Sequence, residues 1–78
     1  MTNYAPQGDW RIRINGNETH PVPHVHVVFR DGSRVTVAIA TGEVLAGMVV
    51  PLSRLHPALR DIEENGSRYL AEYRRLNP

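Results

Sequence analysis

Apolar and polar side chains alternate strictly from Trp10 to Ile14, with Trp10, Ile12 and Ile14 on one side and Arg11 and Arg13 on the other. That is the period of a half-buried strand. The loop Asn15-Gly16-Asn17-Glu18 follows, and Pro21 and Pro23 then hold the chain extended and deny it a helix, which predicts a second strand from about His24 to Arg30. The register of the next hairpin follows from parity. A two-residue Asp31-Gly32 loop would set Phe29 opposite Arg34 and Val28 opposite Val35, mixing polar with apolar side chains on both faces. A three-residue loop with Gly32 in the left-handed position sets Val27 against Val35 and Val25 against Val37 instead. Val25, Val27, Phe29, Val35, Val37 and Ile39 then share a core face, while His24, His26, Val28, Arg34, Thr36 and Ala38 form the other.

Thr41-Gly42 predicts a turn into a fourth strand, Glu43 to Gly47, with its register ambiguous by one residue. The remainder reads as helix. Leu52, Leu55, Leu59 and Ile62 recur at helical spacing, but Pro57 suits only a first turn, so the regular helix should start near His56. Asn65-Gly66 ends it. Ser67 is placed to cap a second helix with Leu70, Tyr73 and Leu76 as its buried stripe and Arg68 and Glu72 paired outside. The fold class is therefore α+β: an antiparallel sheet of three to four strands with two C-terminal helices on one face. Ile12, Val25, Val27, Phe29, Val35, Val37, Leu59, Ile62 and Leu70 are the expected core, with Trp10 closing it. Residues 1–9, without periodicity, read as a flexible N-terminal arm, and residues 10–78 as one small domain.

Size changes this picture more than charge does. A 78-residue domain buries only a little over ~60% of its unfolded surface and has a marginal core. With no cysteine to staple it, a protein partner or a homodimer is the expected support. A net charge of +1 argues against a protein built mainly to coat nucleic acid, although all nine basic residues are Arg, the better fork for carboxylates and phosphates. Met1 is followed by Thr2-Asn3-Tyr4-Ala5-Pro6, with neither a basic nor an apolar targeting segment, and no stretch approaches the ~20 apolar residues of a membrane span. The expectation is a cytoplasmic protein that engages no membrane.

Three of the four histidines fall within His20-Pro21-Val22-Pro23-His24-Val25-His26, so candidate chemistry concentrates there. His24 and His26, at i and i+2 on a strand, project from one face about 6 to 7 Å apart, and His20 is tied to them by a proline-stiffened segment. Three readings stay open. The imidazoles could simply hydrogen-bond backbone and solvent on an outward or partner-facing surface. His20, His24 and His26 could supply three nitrogens to zinc or another divalent metal, with Glu18 or a residue from elsewhere completing the shell. Two histidines could instead act as base and acid in metal-free RNA cleavage, with Arg34, on the same face as His24 and His26, stabilising the phosphorane charge. This reading makes His24, His26 and Arg34 the catalytic candidates.

The same residues carry a family resemblance. His20-Pro21-Val22-Pro23-His24-Val25-His26-Val27 resembles the His-x-Pro-Pro-His-x-His-Val signature of the bacterial domain-of-unknown-function family 4160, and Thr41-Gly42-Glu43-Val44-Leu45-Ala46-Gly47 resembles its Gly-Glu-Val-Leu-x-Gly motif. Thr19 stands where the family often has Asp, and Val22 replaces one of its consecutive prolines. The resemblance spans roughly Ile12 to Leu76. It implies a small cytoplasmic partner-binding module, one half of a toxin-antitoxin-like pair, and no named reaction; no cofactor is expected unless the histidines hold zinc or another divalent metal.

Overall fold

The computed structural model of the chain describes residues 1–17 and 21–78. Five antiparallel strands lie in sequence order: β1 (Thr2–Asn3), β2 (Trp10–Ile14), β3 (His24–Phe29), β4 (Arg34–Ala38) and β5 (Val44–Met48). A 3-10 turn (Leu52–Leu55), α1 (His56–Glu64) and α2 (Gly66–Leu76) follow. The α+β class and the two C-terminal helices are as expected. The sheet, however, has five strands rather than three to four, because residues 1–9 contribute one.

That first strand is only two residues long, too short to show alternation. Thr2 pairs with Ile14 and Asn3 with Arg13, and the Tyr4 N–H donates to the Ile12 carbonyl at 2.9 Å. Side chains fasten the segment to α2. The Thr2 hydroxyl donates to the Glu72 carboxylate, and the Tyr4 ring meets the Tyr69 ring edge-on, 5.1 Å between centroids. The Arg68 guanidinium lies 4.9 Å from the centre of the Tyr4 ring.

The β3–β4 hairpin has the three-residue loop. Val27 pairs with Val35 and Val25 with Val37, the Phe29 N–H donates to the Ser33 carbonyl at 2.9 Å, and Gly32 takes φ +90°, a value that strains residues carrying a Cβ. The inward face of β2, β3 and β4 packs with Leu55, Ala58, Ile62, Tyr69 and Tyr73. Each fully buried aliphatic side chain there contributes about 1.5–3 kcal/mol against the exposed state. Leu59 and Leu70, expected in the core, are half-buried at its margin, and Tyr69 and Tyr73 take the inward positions on α2. Leu52, at the head of the leucine series, is 61% exposed, because a 3-10 turn of three residues per turn swings it out of the helical phase.

The helix junction also departs from expectation. α2 begins at Gly66 directly behind Asn65, and no side chain caps its N-terminus, so Ser67 lies within the first turn. Asn65 instead donates from Nδ2 to the Asp61 carbonyl (3.2 Å) and carboxylate (2.9 Å), which also accepts from the Tyr69 hydroxyl. Glu72 pairs with Arg75 at 2.7 and 2.8 Å rather than with Arg68, whose guanidinium is over Tyr4.

Two features fix the far end of the sheet. Arg54 forks Asp9 at 2.8 and 3.0 Å and donates to Asp31 at 2.9 Å, joining the 3-10 turn to the start of β2 and to the hairpin. Its guanidinium holds both carboxyls below their ordinary range. β5 starts at Val44, with a bulge where β4 passes from Thr36 to Val37.

Candidate functional site

The pairing sorts the outer face of the sheet, the one turned away from the helices, into cross-strand rows. The first runs Asn3, Arg13, His26, Thr36, Ala46 from β1 to β5, since each is the partner of the next. The second runs Arg11, Val28, Arg34, Met48. A third contains His24 and Ala38 at the start of β3. The predicted pairing is the one found, but His24, at the start of β3, packs against Tyr73 of α2 instead of facing away from the helices. Burial separates the rows: His24 and Ala38 are buried, while His26 and Thr36 are half-buried.

His24 and His26 meet edge to face, with ring centroids 5.2 Å apart at 85°. His24 is 3% exposed, and its ring also lies 5.5 Å from that of Tyr73, so the end of α2 helps position the histidine strand. Its Nδ1 donates to the Val22 carbonyl at 2.8 Å. A carbonyl can only accept, so Nδ1 carries the proton and, in the neutral ring, Nε2 holds the lone pair. His26 Nδ1 is hydrogen-bonded to the Thr36 hydroxyl at 3.2 Å, across the β3–β4 pairing. The two imidazoles are thus in ring contact, each oriented through Nδ1.

His20 lies outside the described residues. Among those that are described, no group of three or more His, Cys, Asp or Glu side chains is gathered as a metal shell, and His24 and His26 supply at most two nitrogens. Arg34 is on the histidine face but one row away, opposite Val28 and Met48. Arg13 is the arginine directly across from His26. Sequence reasoning missed Arg13, Thr36 and Tyr73 as neighbours of the histidines. Alternation had put Arg13 on an outward face, but the segment between β2 and β3 has no turn motif that fixes their register. Thr36 was already legible from the hairpin parity, had its hydroxyl been weighed as a partner for His26.

No helix among the described residues is long and apolar enough to cross a membrane. An antiparallel sheet with two C-terminal helices packed on it defines a small α+β module. The family model for a domain of unknown function (DUF4160) matches residues 9–74, and the chain belongs to that family. No curated protein and no solved structure matches it.

Proposed function

We propose that this chain is a protein-binding module, one half of a pair, and that it binds through the side of the sheet left uncovered by the helices. The observation carrying this reading is the run of exposed apolar side chains in and just after β5: Met48, which lies on that face opposite Arg34, and Val50 are each 72% exposed, Leu52 61% and Val44 42%. A small monomer has little reason to leave four large apolar side chains of one segment in water, and such patches mark interaction sites. Co-expression with the product of the adjacent gene, followed by co-purification and light scattering, tests it. The expected result is a stable complex that Met48→Asp with Leu52→Asp abolishes while the thermal unfolding of the isolated chain is unchanged. A chain that remains monomeric at micromolar concentration and retains no partner would remove the reading.

A second reading, acid–base catalysis on RNA, is supported by the His24–His26 ring contact with Arg13 across from it. Incubation with RNA separates the two. Cleavage that survives chelator and is lost in His26→Ala favours metal-free catalysis, chelator-sensitive cleavage favours a metal site, and intact RNA leaves the binding module.

A further inference from the structure

None of the five strands contains an Asp or a Glu, yet two of them place three arginines on the outer face: Arg11 and Arg13 from β2 and Arg34 from β4. Asp9 and Asp31 are committed to Arg54, and Glu72 to Arg75. Among the described residues, none of Arg11, Arg13 and Arg34 is in an ion pair, and all three are half-buried or exposed. A net charge of +1 thus conceals a segregated one. Strand geometry sets Arg11 and Arg13 about 7 Å apart, and Arg11 and Arg34, two strands apart, about 10 Å.

Resting on the protein-binding reading above, we propose that this face takes a partner protein with an acidic, partly apolar surface. Its carboxylates are forked by Arg11, Arg13 and Arg34, and its apolar side chains are seated against Val28, Ala46 and Met48. The mixture selects this occupant. Val28 and Met48 flank Arg34 in its own row, and Ala46 ends the neighbouring row, so guanidiniums alternate with apolar patches as they do in the buried centres of protein interfaces, where Arg and Met are enriched. Single-stranded nucleic acid needs a charged track plus aromatic platforms, and the described strands present no Phe, Tyr or Trp on this face. A second copy is disfavoured by charge: two such faces brought together would oppose three guanidiniums with three more. An acidic partner is the complement, and steering by the three arginines would speed its docking in a salt-dependent way.

The test is selection of a displayed random peptide library on the intact chain, with Arg11→Gln/Arg13→Gln/Arg34→Gln as the comparison and circular dichroism confirming that the variant folds. The expected clones are enriched in Asp and Glu over the starting library. They shift the amide signals of β2, β3 and β4, and they bind the triple variant about tenfold more weakly or worse. Clones without acidic enrichment, or clones mapping to the helix side, would overturn the acidic-partner proposal while leaving the module reading intact. A single-stranded RNA 20-mer bound more tightly than any clone, and lost in the same variant, would transfer the face to nucleic acid. No clones at all, together with no complex in the co-expression experiment, would overturn both.

Discussion

The Tyr73 ring stands 5.5 Å from that of His24, so the last turns of α2 and the first residue of β3 share one packing unit. Both are buried, His24 at 3% exposure and Tyr73 at 7%. The candidate site is thereby coupled to the stability of the C-terminal helix. Tyr73→Ala is expected to cost about 3–5 kcal/mol in urea unfolding, the range for truncating a buried aromatic, and to move the His24 ring signals more than those of His56 on the α1 surface. Unchanged His24 signals in a folded Tyr73→Ala protein would dissociate the two.

Gly47 supports the β4–β5 pairing by having no side chain. Its φ is +80°, and a Cβ there would lie 2.2 Å from the Arg34 carbonyl oxygen. Backbone strain and steric overlap act together, so Gly47→Ala should cost more than about 1–3 kcal/mol, the usual cost of a non-glycine residue held at positive φ. Because the overlap is with β4 backbone, faster amide exchange should concentrate in β5 and around Arg34. A variant as stable as the parent would show that β5 can leave the sheet without consequence.

How much of this was legible in the sequence depended on how local the determining contact was. Gly32 and the valines around it fixed the β3–β4 register, because only one loop length segregates apolar from polar side chains. Thr2 and Asn3 gave no such signal, since two residues are too few to alternate and the Thr2–Glu72 contact that fastens them to α2 spans seventy residues. Ser67 was expected to cap the second helix, yet Asn65 ends one helix and starts the next, its side chain reaching back to Asp61. At the site, the His24–His26 pair followed from strand period alone. The placement of Arg13 opposite His26 required the β2–β3 register, and the nearness of Tyr73 required the docking of α2.

Acid should loosen the chain at its salt-bridged carboxylates. Hydrogen bonds from Arg75 and then Thr2 bring Glu72 from an ordinary value near 4.5 down to about 2. A carboxyl with a lowered folded-state pKa contributes stability that is complete above its unfolded value and is lost as pH falls through the folded one. Loss from Glu72 is therefore expected between about pH 4.5 and 2, with Asp9 and Asp31 acting in the same direction. Glu72→Gln should make the fall in melting temperature across that interval shallower while barely altering the profile above pH 5. An identical acid limb in wild type and variant would refute the assignment.

The proton positions of the two histidines can be read directly. His24 donates from Nδ1 to the Val22 carbonyl, which requires the Nδ1–H tautomer, the minor form of free histidine, whereas His26 shares its Nδ1 with a Thr36 hydroxyl that can donate or accept. Long-range proton–nitrogen correlation spectra at about pH 9, where free imidazoles are neutral, should show His24 protonated at Nδ1 with Nε2 bare of hydrogen. Thr36→Val then acts on one ring only. It should shift the His26 Nδ1 signal and cost about 0.5–1.5 kcal/mol, the net value of one hydrogen bond, while the His24 pattern persists. A spectrum showing His24 protonated at Nε2 would mean that the Val22 contact does not set its tautomer.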